Sequence, residues 1–239
     1  MQERLDGPLD DRASLVGNLR DLRRFNRRLG GVALSVRALE ALTADRDELS
    51  LLDVGTGGAD IPLALIEAWR RRGRRLRVVG IDHRPEVLAA AVLANPRLSA
   101  ADGLELHVGD GTSLPYQDRS FDVAHASLLI HHLEPGVAVT LLREMRRVAR
   151  RGVIVNDLAR GRRAYLGAWL ISHLLTSNRF TRHDAPLSVR RAYTPDELSG
   201  LLAAAGAREV HRVRGPFGHR YALAAVPPGP PGVDTSALT

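Results

Sequence analysis

Five short apolar runs, each ending in a small or acidic residue, constrain the fold of this chain more than any other feature. The runs are LSLLDVG (49–55), LRVVGID (76–82), LELHVGD (104–110), FDVAHAS (121–127) and GVIVNDL (152–158). Segments with helical spacing of apolar residues separate them, and we predict helices at about 60–72, 85–94 and 137–150. Strands that alternate with helices are typical of βαβ units, so the pattern predicts a parallel sheet.

The segments on either side of this alternation extend the predicted fold. Between Ser14 and Leu42, apolar residues recur at helical spacing around a Gly-Gly break, which predicts a pair of helices before the sheet. Near the other end, residues 207–214 and 219–226 are strand-like and flank a turn that contains Gly and Pro, as in an antiparallel hairpin. The sequence therefore predicts an α/β fold, with a doubly wound, seven-stranded, mostly parallel sheet and an antiparallel C-terminal hairpin.

One segment, 159–192, interrupts the alternation. It contains one helix-like stretch, Tyr165 to Leu175, followed by polar, arginine-rich sequence. Insertions at this place in open α/β folds usually cover the strand ends, so we predict a helical cap there. The large apolar side chains of the stretch are expected to pack in the core or to line a pocket under the cap; they are Leu166, Trp169, Leu170 and Leu174.

These boundaries divide the chain into three predicted parts. Residues 1–48 form a helical lead-in, residues 49–226 form the main domain with its cap, and residues 227–239 form a disordered tail. The tail begins with a proline-rich stretch that cannot form a helix or a central strand. Residues 1–12 are polar and are expected to fray.

Composition excludes several classes of protein. With no cysteine in 239 residues, the chain is neither a disulfide-stapled module nor a cysteine-liganded zinc domain, and it has no cysteine nucleophile. All 34 basic residues are arginine, against 27 acids, which gives a net charge of +7. We attribute the arginine bias mainly to the composition of the genome; a polyanionic partner is the alternative. No stretch has the ~18 uncharged apolar residues that a membrane span needs, so we expect a cytoplasmic protein.

The sharpest local motif is LLDVGTGGADIP, residues 51–62. It predicts a buried strand, a glycine-rich turn and the start of a helix, in which Gly55 and Gly57 let a ligand approach the backbone closely. The turn has neither the GK[ST] of a P-loop nor GxGxxG spacing. Acids end the next two strands: a carboxylate at Asp82 can accept both hydroxyls of a ribose, and one at Asp110 can accept an exocyclic amine. The order of these groups predicts a site for a ligand that contains a nucleoside.

At these residues the chain resembles the class I S-adenosylmethionine-dependent methyltransferases, whose first motif is an acid followed by GxGxG. Here the motif is DVGTGGA (53–59), in which Ala59 stands in place of the third glycine. The likeness continues through GDGTSLPYQDRSFDVAHASLLIHHL (109–133). The NRRLGG string (26–31) and the HHL element look like bacterial small-molecule methyltransferases of the quinone-biosynthesis and polyketide-tailoring type. The resemblance implies a Rossmann-like fold and S-adenosylmethionine as the cofactor.

The resemblance also implies roles for individual residues. Asp53, Gly55, Thr56 and Gly57 would hold the methionine end of the cofactor, Asp82 its ribose, and His83, Asp110 and Gly111 its adenine; Ser127 ends the strand that faces the methyl group. For Asp53, the alternative is a carboxylate that only accepts hydrogen bonds from turn amides. His131 and His132 follow that strand, and a neutral imidazole is a suitable general base near pH 7. A structural role at a helix start is the alternative, and His183-Asp184 is a rival pair. We expect no metal site, because the acids and histidines show no ligand spacing.

Three functions remain open at the level of sequence. The first is methyl transfer to an oxygen or an activated carbon of a phenolic, quinol or polyketide-like small molecule, by a protein that could be a homodimer. The second is methylation of RNA, which the arginine-rich run at 70–75 favours and the lack of an (N/D)PP(Y/F) string after the fourth strand opposes, so a nucleic acid partner is not expected. The third is a cofactor-binding protein without catalytic activity. Arginines around the predicted cap favour an anionic substrate; they are Arg162, Arg163, Arg179, Arg182, Arg190 and Arg191.

Overall fold

The structure, a computed structural model, describes residues 3–7, 9 and 11–227, so all but the first residue of the predicted tail lies outside the described residues. The helices are α1 (Arg12–Arg28), α2 (Gly31–Thr43), α3 (Asp60–Arg71), α4 (Pro85–Ala94), α5 (Pro135–Val148), α6 (Arg162–Leu174), α7 (Arg179–Arg191) and α8 (Pro195–Ala204). The strands are β1 (Glu48–Val54), β2 (Arg75–Asp82), β3 (Leu104–Val108), β4 (Phe121–Ser127), β5 (Ala149–Leu158), β6 (Arg208–Arg214) and β7 (Arg220–Val226). None of the described helices has the length and apolar content of a membrane span.

The strands form one sheet in the order β3-β2-β1-β4-β5-β7-β6. Strands β1 to β5 pair in parallel, whereas β7 runs antiparallel to both β5 and β6. The strand order reverses between β1 and β4, and in such sheets ligands bind outside the carboxyl ends of the strands at the point of reversal. The predicted doubly wound, mostly parallel sheet with an antiparallel C-terminal hairpin is confirmed.

Helices cover both faces of the sheet, because successive side chains of a strand point to opposite faces. Leu51 packs with α2 and α3 on one face, whereas its neighbour Leu52 packs with α5 and α8 on the other. Leu15 and Leu19 of α1 pack against Val87 of α4 in a third cluster. The strands read as nearly continuous apolar runs in the sequence because both of their faces are buried.

The cap differs from its prediction. Two helices, α6 and α7, occupy it, although the sequence indicated only one. Helix α7 forms in the arginine-rich part because the Asn178 side chain accepts hydrogen bonds from the amides of Phe180 and Thr181 at its start. Phe180 and Leu187 are buried, whereas most of the arginines of α7 are exposed. The sequence of α7 has few apolar residues between its arginines, so a helical spacing of apolar residues could not be recognised there.

The large apolar side chains of α6 are exposed, so the expectation that they lie in the core or line a pocket is wrong. They are Leu166, Trp169, Leu170 and Leu174. Helix α6 packs on α7, and its small residues Ala164, Gly167 and Ala168 line the cavity under the cap. The large side chains therefore point away from the protein.

The N-terminal residues also differ from the expectation that they fray. Residues 3–7 contain a single 3₁₀ turn. The amides of Arg4 and Leu5 donate to the Asp184 carboxylate on α7, at 2.9 and 3.2 Å. The Arg84 guanidinium, next to the end of β2, donates to the Leu5 carbonyl at 2.8 Å. This segment therefore bridges the cap and the carboxyl end of the sheet.

Candidate active site

A cavity of about 730 Å³ lies at the carboxyl ends of β1, β2 and β4, beneath the cap. All residues that the sequence analysis assigned to cofactor binding line it, as do both candidate histidines; they are Asp53, Gly55, Thr56, Gly57, Asp82, His83, Asp110, Gly111, Ser127, His131 and His132. The other walls come from α1, α6, α7, β7 and the N-terminal turn. The fold thus gathers residues from both ends of the described chain around one space.

The glycine-rich turn after β1 has a left-handed backbone. Gly55 and Gly57 have φ angles of +68° and +51°. A Cβ at Gly55 would lie 2.8 Å from the Leu129 side chain, so a larger residue would push that side chain aside. Ala59, which replaces the third glycine, has a φ of +49° and is buried. At Gly55 the packed Leu129 side chain thus leaves no room for a larger residue, whereas a Cβ at Gly57 would meet no atom closer than 4.0 Å.

Asp82 holds this turn from the neighbouring strand. One of its carboxylate oxygens accepts the amide of Gly57 and the other accepts the amide of Arg84, both at 3.0 Å. The side chain is buried at the cavity wall. Each carboxylate oxygen has a second lone pair, so the group can still accept the two hydroxyls of a ribose.

Asp110 and His83 lie at the rim of the cavity. Asp110 accepts hydrogen bonds from the amide and the hydroxyl of Thr112, at 2.8 and 2.7 Å, and these bonds lower its pKa below the ordinary value for aspartate. His83 is mostly exposed, with 3.7 Å between its Nδ1 and the Asp82 carboxylate. An ionised, accessible Asp110 can accept an exocyclic amine.

Asp53 takes part in a chain of buried hydrogen bonds that crosses the sheet. Its carboxylate accepts Nδ1–H of His125 at 2.5 Å, and Nε2 of the same ring accepts the Ser35 hydroxyl at 2.8 Å. Ser35 in turn accepts the Asn156 side-chain amide at 2.7 Å. A carboxylate can only accept, so these partners fix the tautomer of His125. Asp53 is therefore held by a histidine of the adjacent strand, and it is Asp82 that accepts a turn amide.

Arg220, at the start of β7, continues this chain and is a residue that the sequence analysis missed. Its guanidinium donates to Asn156 Oδ1 at 2.6 Å, to Asn26 Oδ1 at 2.5 Å and to Ser127 Oγ at 2.7 Å. Burial lowers the pKa of Arg220 to about 10, and two nearby carboxylates partly offset this effect, so the group stays charged at neutral pH. No motif or periodicity marks one arginine on a C-terminal strand, and the sequence holds no signal for it.

His131 and His132 occupy a 3₁₀ turn after β4, with 4.2 Å between the ring centroids. Nδ1–H of His131 donates to the Asp157 carboxylate at 2.6 Å, and the His131 amide donates to it at 3.2 Å. Burial alone would raise the pKa of Asp157, but its interaction with His131 holds that pKa below the ordinary value. When the His131 ring carries a single proton, that proton lies on Nδ1 in this bond, and Nε2 is then the acceptor at the cavity wall.

Glu3 is the second residue that the sequence analysis missed. Its buried carboxylate lies 3.9 Å from Nε2 of His131 and 3.7 Å from Nε2 of His132. The Ser188 hydroxyl donates to it at 2.9 Å, and the Arg191 guanidinium lies 3.7 Å away. Within the described ranges, the carboxylate and the two imidazoles are the one group with potential metal-ligand atoms all within 4.8 Å of one another. The guanidinium already offsets the charge of Glu3, and the absence of a metal site stays a prediction.

The rival pair, His183-Asp184, has a different task in this fold. Nδ1 of His183 lies 2.7 Å from the Asp184 carboxylate, but the imidazole is exposed and is not part of the cavity wall. Asp184 itself accepts the amides of the N-terminal turn. Asp184 therefore anchors that turn to α7.

The cavity fits S-adenosylmethionine, the cofactor that the resemblance implies. Its volume lies within the range of roughly 300–1,000 Å³ that is usual for small-molecule sites. Thr56 Oγ1 and Asn18 Oδ1 are buried at its wall and have no hydrogen-bond partner among the described residues. Buried polar atoms without partners are costly, and a ligand with amine, carboxylate and hydroxyl groups can satisfy them.

Comparison with known proteins agrees with this geometry. Residues 52–155 match the family Methyltransf_11, described as a methyltransferase domain. An uncharacterized 37.1 kDa protein in transposon Tn4556 of Streptomyces fradiae is 33% identical over 171 residues, which cover 70% of this chain and 46% of that protein. The chain thus spans about half the length of this curated relative.

Solved structures share the fold. A SAM-dependent methyltransferase from Aquifex aeolicus is 19% identical, with a TM-score of 0.63 over 88% of this chain and 97% of that one. Human N-acetylserotonin methyltransferase in complex with SAM is 16% identical, with a TM-score of 0.65 over 93% of this chain and 61% of that one. The family match, which runs from β1 to β5, shows that residues 52–155 resemble a methyltransferase domain, and the solved structures show that the chain shares their fold.

Proposed function

We propose that this chain transfers a methyl group from S-adenosylmethionine to an oxygen or an activated carbon of a phenolic, quinol or polyketide-like small molecule. The observation that carries the proposal is the His131–Asp157 pair in the wall of the cavity that also contains the glycine-rich turn and Asp82. The bound cofactor supplies a methyl group that its sulfonium already activates. The protein has to align the acceptor, exclude water and take up a proton.

His131 is the proposed general base for a hydroxyl acceptor. A phenol has a pKa near 10, so at neutral pH its proton has to leave as the oxygen–methyl bond forms. Asp157 keeps the proton of the neutral ring on Nδ1, and the acceptor's proton therefore passes to Nε2. The carboxylate then stabilises the imidazolium. His132, whose ring lies beside that of His131, is the second candidate.

The shape of the cavity favours a small acceptor over RNA. Leu19, Leu22 and Phe25 of α1 line an apolar wall that suits an aromatic ring. The arginine-rich run, 70–75, lies at the end of α3 and the start of β2, at the edge of the sheet opposite the cavity. A nucleic acid held by these arginines would not bring a base to the cavity.

Asp82→Ala is expected to weaken the binding of S-adenosylmethionine by about 100-fold or more, since charge-assisted hydrogen bonds contribute ~1.5–3 kcal/mol each. The variant loses the proposed partner of the ribose hydroxyls and the acceptor of the Gly57 amide. Isothermal titration calorimetry measures the dissociation constant. Asp102→Ala removes an exposed acid in the turn before β3 and serves as the matched control, with unchanged binding. Unchanged binding by Asp82→Ala would rule out the ribose assignment.

A methyl-transfer screen tests the activity. The protein is incubated with radiolabelled S-adenosylmethionine and phenols, quinols or aromatic polyketides, and with total RNA in a separate arm. We expect label in at least one aromatic acceptor and none in RNA. Label only in RNA would replace the proposal with the RNA alternative, and cofactor binding without any transfer would favour a protein that has lost the reaction.

A further inference from the structure

Helix α6 exposes a continuous apolar surface to solvent. The outer α6 face consists of Tyr165, Leu166, Trp169, Leu170, Leu174 and, just after the helix, Leu175, with exposures between 37% and 74%. Residues 166, 169, 170 and 174 follow helical spacing and share one side of the helix. Six of the ten large apolar side chains that are exposed in the described part of the chain belong to this face. Such a concentration on one helix is typical of an interaction surface.

The opposite side of the same helix is a wall of the candidate active site. Ala164, Gly167, Ala168 and Ile171 line the cavity. A single helix therefore separates the cavity from the outer α6 face. A helix with its side chains is about 10 Å across, and most side chains on the cavity side of α6 are small. An apolar molecule bound to the outer surface would therefore lie within about 10 Å of the cavity.

The segment that carries this surface is rich in arginine. Residues 159–183 contain five arginines and no acid. Arg160 and Arg179 pair with acids elsewhere in the protein. Arg162 at the start of α6 and Arg182 on α7 have no ion pair with any described acid. Arg182 donates to the carbonyls of His173 and Thr176, near the end of α6. Arg163 also has no ion pair with a described acid, but it lines the cavity.

We propose that the outer α6 face docks on the surface of a bilayer that contains anionic phospholipids, and that the methyl acceptor is a lipophilic molecule taken from that bilayer. Leucines with a tryptophan and a tyrosine on one side, flanked by arginines, are the composition of helices that lie in a membrane interface. A second copy of this chain fits the surface less well, because each copy would bring the same arginine-rich segment, which contains no acid, to the contact. The docking stands on the surface alone, and the origin of the acceptor rests on the proposed function.

Trp169 provides a direct signal for the docking. The chain has two tryptophans, and the other, Trp69, is fully buried in the core. Vesicles of phosphatidylcholine with phosphatidylglycerol should shift the emission of Trp169 to shorter wavelength and carry the protein into the pellet on centrifugation. Vesicles of phosphatidylcholine alone should do so much less, and added salt should weaken the binding.

Paired variants test whether the outer α6 face is responsible. Leu170→Ser with Leu174→Ser should weaken vesicle binding by about tenfold or more. The double variant loses the favourable free energy of moving two leucine side chains from water into the membrane interface. Val92→Ser with Leu93→Ser, at exposed apolar positions of α4, is the matched control and should bind vesicles like the parent protein. Both variants should bind S-adenosylmethionine normally, which shows that they are folded.

Several results would overturn the proposal. These are no binding of the parent protein to anionic vesicles, equal binding to neutral vesicles, or equal loss in the α4 control. A dimer in light scattering that Leu170→Ser with Leu174→Ser dissociates would assign the face to a second copy. None of these measurements needs methyl transfer, so a failure of the docking is distinct from a failure of the proposed activity.

Discussion

Replacing Arg220 by methionine is expected to lower the free energy of unfolding by about 3–5 kcal/mol, because removing one member of a buried charged network leaves the others uncompensated. The loss would be a large share of the ~5–15 kcal/mol that stabilises a typical domain. The substitution keeps an apolar stem of similar length but removes the donors to Asn156, Asn26 and Ser127. It also removes a nearby positive charge that helps to hold the pKa of the buried Asp157 carboxylate below the ordinary value.

Denaturation by urea, followed by circular dichroism, measures this effect. Arg214→Met is the matched control: the side chain is exposed at the end of the neighbouring strand, and its loss should change stability by less than about 0.5 kcal/mol. Arg220→Lys keeps the charge but not the planar guanidinium whose three nitrogens reach three separate partners, so its stability should fall between those of the parent and Arg220→Met. Equal stability of Arg220→Met and Arg214→Met would show that the network contributes little.

Replacing His131 by alanine is expected to lower kcat for a phenolic acceptor by about 10²–10⁴-fold, the usual contribution of a positioned general base. The variant loses the nitrogen that takes the acceptor's proton. The cofactor site is formed by other residues, so the dissociation constant of S-adenosylmethionine should stay near that of the parent. Steady-state kinetics with the acceptor found in the screen, together with calorimetry, separates the two effects.

Two further variants distinguish a base from a merely structural histidine. Asp157→Asn no longer holds the proton on Nδ1 and should also lower kcat strongly, whereas Asp157→Glu keeps a carboxylate and should retain part of the activity. His132→Ala should have a smaller effect, because the hydrogen bond that orients an imidazole on Asp157 comes from His131. A larger loss in His132→Ala than in His131→Ala would move the base to the second histidine.

The parts of the site that could be predicted are those encoded by short segments. The strand, glycine-rich turn and helix start at 51–62 are consecutive in the chain, and left-handed φ angles are found at both retained glycines. Asp82 and Asp110 follow strands that are parallel, so their place at one edge of the sheet follows from topology alone. Cavity residues that lie at the end of a strand could therefore be predicted from the sequence.

Contacts of high sequence separation were not predictable in the same way. Glu3 reaches His131 across most of the domain, and Arg220 reaches Asn26 from the opposite end of the chain. Glu3 and Arg220 are single polar residues, and the hydrophobic pattern of the neighbouring sequence does not indicate a role for either. The N-terminal turn was expected to fray because its residues are polar, yet its amides have a partner in Asp184.

Helix α6 shows the same division on the surface. The spacing of Leu166, Trp169, Leu170 and Leu174 indicates a helix with one apolar side, and that much is local. Which side faces the protein depends on what α6 packs against, and the helix turns its small residues to the cavity. The spacing of apolar residues alone does not show whether the apolar side of a helix is buried in the protein or exposed on its surface.

The sequence by itself determined the alternation of strands and helices from β1 to β5, the glycine-rich turn and the acids at the strand ends, because hydrophobic period and backbone conformation act over a few residues. Only the tertiary structure decided the partners of these groups. It paired Asp53 with His125, His131 with Asp157 and Arg220 with three polar side chains. The physical reason is that a buried polar group needs a partner wherever the fold provides one, and the fold brings such partners together from distant parts of the chain.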